Sequence, residues 1–204
     1  MIVGIDPSLT NTGVVAIDNN LVCSHNVCFT PSKNLFGIER LLFLANAVRD
    51  FVDKLAPDVE LVSVEGPSYG SKTSSLFELG ELGGLIQLTL YQLCVSYVFP
   101  APTEVKKLMT GKGNADKDKV KESVGLTFDI EGKNYTEHEI DALAIAFYGR
   151  AFLKALKKEG PRVPLLDNIE VKSGIAKRTS KMKGKVINPK FSFTTSLQEL
   201  LKSS

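Results

Sequence analysis

The chain predicts an α/β domain built on a five-stranded mixed sheet, an antiparallel meander continued by parallel strands and flanked by helices. Three observations carry this. Three strand-like runs near the N-terminus are joined by tight turns, the mark of antiparallel neighbours. Long segments with apolar residues every three or four positions then alternate with short apolar runs, as when helices cross between parallel strands. With 204 residues, 43% of them apolar, the chain can bury one full core and carry an extension.

The elements follow in order. Residues 1–7 read as a buried strand. Asn11, Thr12 and Gly13 signal a turn into a second strand over about 13–18. Asp18-Asn19-Asn20 is a tight turn, and 21–29 makes a third strand. Leu35, Ile38, Leu41, Leu42, Ala45, Val48 and Val52 recur at helical spacing over 35–55. Asp58 to Glu65 is the fourth strand. Leu76, Leu79, Leu82, Leu85, Ile86 and Leu90 give a second long helix over 72–93. Val95 to Phe99 is the fifth strand, stopped by Pro100 and Pro102. Helical segments follow at about 103–109 and 116–126. Thr136 with Glu139 matches a capping box, so the last strong helix starts near 137 and runs to about 157.

Charge divides the chain. Residues 1–154 hold 14 Lys/Arg against 19 Asp/Glu, a balance of −5, and 155–204 hold 11 against 4, a balance of +7. We therefore expect a folded domain over 1–158 and a basic extension over 159–204, partly disordered, with a short helix at Ser196–Lys202. The extension reads either as a solvated tail or as a non-specific phosphate-binding arm. No apolar run approaches a membrane span. The N-terminus enters a strand at once, which leaves no room for a signal peptide and predicts a cytoplasmic protein. Cys23, Cys28 and Cys94 form no CxxC pair. They read as reduced thiols, and a structural zinc site is not expected.

Three acidic residues stand where carboxylates need a partner. Asp6 follows Ile2-Val3-Gly4-Ile5, and Glu65 closes Leu61-Val62-Ser63-Val64. Asp141 lies three residues after His138, on the same helix face. Each has a plainer reading: Asp6 as a turn cap, Glu65 as a sheet-edge residue, His138 as a helix-start residue. Together they suggest a divalent-metal site, because carboxylates against a core need a neutralising cation. Glu137 rivals His138 as a ligand. The lysines at 106, 107, 112, 117, 119 and 121 suggest a polyanionic substrate, although interleaved acids also allow a solvated helix pair. The reading is a metal-dependent nuclease acting on DNA. No Ser/His/Asp or Cys/His nucleophilic set is apparent. Gly80, Gly83 and Gly84 fall inside a helical pattern, so they permit close helix packing, as at a subunit interface, rather than cradle phosphate. Gly111-Lys112-Gly113 lacks the spacing of a nucleotide loop.

These residues resemble the RuvC-type Holliday junction resolvases, nucleases of the RNase H-like fold. The resemblance covers about 1–155. It rests on Gly4-Ile5-Asp6-Pro7-Ser8 with Thr12-Gly13, on Val64-Glu65, and on Val105-Lys106 followed by Gly111-Lys112-Gly113-Asn114-Ala115-Asp116-Lys117. The last motif is His138-Glu139-Ile140-Asp141-Ala142-Leu143-Ala144-Ile145-Ala146. It implies four metal-site residues, Asp6, Glu65, His138 and Asp141, with two Mg²⁺ per site and Mn²⁺ as a substitute. It implies that Lys106 and Lys117 lie near the scissile phosphate. It also implies a homodimer that nicks two opposed strands of a four-way junction in branched DNA. In one respect the chain departs from the pattern. Family members often carry an aromatic residue three places after the glutamate, where Ser68 stands here, with Tyr69 one place later.

Three rivals remain. One is a nuclease of the same fold acting on flaps or forks. Another is a non-catalytic DNA-binding module, which need not keep all three acids. The third is half of an actin-like ATPase, a class that needs two related domains and a longer chain.

Overall fold

The computed structural model describes residues 1–66, 75–130, 132–159, 169–172 and 175–178. Its centre is a five-stranded sheet of order β3-β2-β1-β4-β5. β1 (Ile2–Asp6), β2 (Thr12–Ile17) and β3 (Cys23–Phe29) form the antiparallel meander. β4 (Leu61–Val64) and β5 (Tyr97–Val98) extend it in parallel. The expected mixed sheet is therefore present, with β1 in the middle and buried along its whole length.

Five helices flank it. α1 (Gly37–Leu55) and α2 (Ser75–Gln92) lie on one face, over Val3, Ile5, Val14, Val62 and Val64. α3 (Pro102–Thr110), α4 (Lys117–Thr127) and α5 (Glu137–Glu159) build the core on the other face with Ile2, Val15 and Ile17. Each of these three has a local reason to start where it does. Pro102 opens α3, and Glu104 accepts from the Ala101 N–H at 2.8 Å. Asp116 caps α4 by accepting from the Lys119 N–H at 2.9 Å. Thr136 and Glu139 form the expected capping box at the head of α5.

Several boundaries move. Ala56–Asp58 is a 3₁₀ turn, so β4 begins at Leu61 rather than 58. Leu21 is left-handed at φ 65° in a turn closed by the Asp18 N–H donating to the Val22 carbonyl at 3.0 Å, and β3 begins only at Cys23. Ile38 and Leu42, expected in the core by their spacing, are 60% and 44% exposed. Leu41, Ala45, Val48 and Val52 of the same pattern are buried, joined by Leu44, which the pattern omits. Beyond α5, residues expected to lack periodic structure form an antiparallel hairpin, β6 (Ile169–Lys172) and β7 (Ile175–Arg178). Ile169-Glu170-Val171-Lys172 alternates apolar and charged positions, which is strand patterning over a very short run. Ser68, Tyr69 and the helix expected at 196–202 lie outside the described residues.

Glycines set how α5 meets the sheet. A Cβ added at Gly4 would stand 2.1 Å from the Ala142 carbonyl oxygen. One added at Gly13 would stand 2.1 Å from the His138 carbonyl oxygen. Helix backbone therefore lies directly on strand backbone, closer than any side chain permits. Among the described residues no helix is long and apolar enough to cross a membrane.

Candidate active site

Asp6 ends β1 opposite Gly13 of β2 and is 8% exposed. Glu65 follows β4, and its N–H donates to the Ile5 carbonyl at 3.0 Å. That bond carries the parallel β1–β4 register one residue further and sets Glu65 beside Asp6. Both acids thus stand at the C-terminal ends of adjacent parallel strands, where open α/β sheets gather ligands.

The glycine contacts bring the head of α5 onto the same spot. His138 Nδ1 lies 2.7 Å from Asp6 Oδ2. Asp141, one helical turn on, is half-buried, and its Oδ2 is 3.8 Å from Lys117 Nζ at the start of α4. Lys117 is 72% exposed, so its ammonium reaches over the site from solvent.

Electrostatics tie the residues into one cluster. Burial first, then the carboxylates of Asp6 and Asp141, push Glu65 up to about 7, while Lys106 and Lys117 pull against them. Burial and then Asp6 raise Asp141, opposed by Lys117 and His138. The hydrogen bond to Asp6 raises His138 despite its partial burial. Glu137 raises Asp141 as the smallest of the named causes, whereas His138 touches Asp6 directly.

His138 therefore touches Asp6, Lys117 faces Asp141, and Glu65 feels Asp6, Asp141, Lys106 and Lys117. Asp6, Glu65, His138 and Asp141 form the acidic centre. Lys106 and Lys117 supply positive field at its rim. Among the described residues, no three His, Cys, Asp or Glu side chains stand close enough to grip a single ion as they are arranged here. The donor set nonetheless suits a hard divalent cation: carboxylate oxygens that disfavour one another's ionised form, with one imidazole.

Two features were not legible in the motifs. Thr12 Oγ1 donates to the Ser8 carbonyl at 2.7 Å and accepts from the Ser8 N–H at 3.2 Å, which fixes the loop after Asp6. Asn26 Nδ2, on β3, donates to Glu139 Oε1 at 2.7 Å across 113 residues of sequence. The capping box foretold one role for Glu139 but gave no sign of this second one.

The chain is similar to known proteins over most of its described length. The family model described as crossover junction endodeoxyribonuclease RuvC matches residues 2–148, a span that includes every site residue named above. The RuvC of Treponema denticola is 30% identical over 148 residues, covering 71% of this chain and 82% of that protein. The RuvC of Chloroflexus aggregans is 32% identical over 146 residues, covering 70% and 88%. Among solved structures, Thermus thermophilus RuvC superposes with a TM-score of 0.64 at 25% identity, covering 76% of this chain and 96% of that one. The same protein in complex with a Holliday junction substrate gives 0.62 at 26% identity, covering 74% and 95%. With the family model matched over residues 2–148 and a relative 30% identical across most of both chains, the chain belongs to the RuvC crossover junction endodeoxyribonucleases.

Proposed function

We propose that this chain resolves four-way DNA junctions by divalent-metal-dependent phosphodiester hydrolysis, with paired nicks made by a homodimer. The observation that carries the reading is the convergence of the Asp6, Glu65 and Asp141 carboxylates, each felt by another, beneath two lysines. The substrate class comes from the relative captured with a Holliday junction.

In this reading Asp6, Glu65, His138 and Asp141 hold two Mg²⁺ ions, for which Mn²⁺ substitutes. Such a pair, when bound, supplies charge neutralisation at the phosphate and a more acidic water. The remaining roles fall to the chain itself. Asp6 is central because it influences both other carboxylates and bonds to His138. His138 holds a proton at Nδ1 towards Asp6 Oδ2 and fixes the direction of that carboxylate. Lys106 and Lys117 oppose the charge that builds on the phosphate oxygens as the bond breaks. Residues 1–158 form the nuclease unit, and the basic segment 159–204 adds phosphate contacts.

Cutting two opposed strands needs two centres, and an unpartnered apolar face supports a second copy. Phe77, Leu88 and Tyr91 of α2 and Ile38 of α1 are each more than half exposed. Between them, a Cβ built on Gly80, Gly83 or Gly84 meets nothing within 4 Å. The face is therefore shallow enough for another helix to lie close. Leu88→Lys is expected to turn a dimer into a monomer by light scattering while leaving the acidic centre intact. An unchanged dimer would move the interface elsewhere.

The deciding assay compares a four-way junction, a fork, a flap and linear duplex in Mg²⁺. We expect symmetric paired nicks confined to the junction. Asp6→Asn should lower cleavage at least about a thousandfold yet still bind junction, because phosphate contacts dominate affinity. Comparable cutting of flaps and forks would replace junction selectivity with general branched-DNA cleavage.

A further inference from the structure

The seat of α5 leaves one problem unsolved. Gly4 and Gly13 let the helix approach, and Ile2, Val15 and Ile17 pack against its apolar residues further along, but the glycines themselves offer no side chain to grip its first turn. Close approach alone does not fix how far the helix slides or rolls. His138 must nevertheless keep a 2.7 Å contact with Asp6, so the first turn of α5 needs a lateral lock.

That lock lies at the edge of the sheet. Glu139 is 4% exposed, and both of its carboxylate oxygens are engaged. Oε1 accepts from Asn26 Nδ2 at 2.7 Å. Oε2 accepts from the Thr136 N–H and from Thr136 Oγ1, each at 2.7 Å. Asn26 belongs to β3, two strands from β1, or roughly 10 Å across the sheet. Consecutive helical residues point about 100° apart. Tying Glu139 towards β3 therefore turns its neighbour, His138, towards β1.

We infer that Asn26 and Glu139 form a positioning couple that sets the first turn of α5 and thereby holds His138 against Asp6. Neither touches the acidic centre; both act through His138. The inference rests on the nuclease reading only for its activity readout. Its second readout, the contact between His138 Nδ1 and Asp6 Oδ2 in a crystal structure, requires neither DNA nor metal.

Asn26 is exposed, so Asn26→Ala removes the amide without opening a core cavity. In that variant the couple predicts a kcat for junction cleavage lower by about tenfold, with KM unchanged, as for a misplaced catalytic group. The separation between His138 Nδ1 and Asp6 Oδ2 in a crystal structure of the metal-free variant should open beyond hydrogen-bond reach. The double variant Asn26→Asp with Glu139→Gln reverses the hydrogen bond: the amide now on α5 donates to the carboxylate now on β3, and its oxygen still accepts from Thr136. It should restore both kcat and the contact between His138 and Asp6.

Wild-type kcat and an unchanged contact between His138 and Asp6 in Asn26→Ala would overturn the inference. So would a double variant that folds like the parent without regaining either readout. If the parent cleaves no junction at all, the nuclease reading fails, and the contact between His138 and Asp6 still decides whether the couple exists.

Discussion

At the scale of single residues, the centre is an arrangement of acids that the fold alone does not favour. Glu65 has its ionisation pushed up to about 7 by burial and by Asp6 and Asp141. Its folded pKa therefore lies above its unfolded value, so the folded state holds this proton more tightly. The stabilisation linked to that proton is complete below about pH 4.5 and is lost as pH rises towards about 7. His138 acts in the same direction, since its pKa is also raised on folding and its contribution fades as it loses its proton. The metal-free protein should therefore lose several degrees of Tm between about pH 5 and pH 8. Added Mg²⁺ should restore most of that loss at the alkaline end and little of it at the acid end, because bound cations must displace protons. Calorimetry across that range, with and without Mg²⁺, checks both expectations. A Tm that is flat with pH in the metal-free protein would count against a cluster of mutually repelling carboxylates.

At the scale of elements, α5 is what assembles the site, and Gly13 is what admits it. Gly13→Ala puts a methyl group on the His138 carbonyl. The helix must then lift at the very turn that carries His138 and Asp141. Overpacking of this kind costs about 1–3 kcal/mol, and cleavage should fall much further than Tm does. Thermal melts and junction assays on one preparation measure the two effects together. The sequence made this element readable because three signals coincided there: the capping box, the apolar periodicity and the acidic spacing. Asp6 and Glu65 were readable as acids closing apolar strands. Other features were not. In α1 the helical pattern rightly includes the buried Leu41, Ala45, Val48 and Val52, but it also takes in the exposed Ile38 and Leu42 and misses the buried Leu44. Periodicity tells which residues share a face; it does not tell which of two adjoining apolar faces finds a partner inside the chain. Asn26 was invisible for a related reason. A polar residue on an edge strand carries no local mark of a helix 113 residues later.

At the scale of the molecule, charge is distributed unevenly. The first 154 residues balance at −5 and the remaining 50 at +7. An acidic enzyme body that binds a polyanion benefits from cations placed outside its centre. Removing 159–204 is therefore expected to weaken junction binding and to flatten its dependence on salt, by about 0.9 in the logarithmic slope for each phosphate that the segment neutralises. Binding titrations at several salt concentrations give that slope directly, and an equal slope with and without the segment would show that it makes no phosphate contacts.

The acidic centre joins residues far apart in the chain: Asp6 comes from β1, and His138 and Asp141 from α5. A nascent chain leaving the ribosome therefore carries half a centre for most of its synthesis. On the proposed reading, a copy that ends before α5 lacks His138 and Asp141 and should leave the DNA around it uncut.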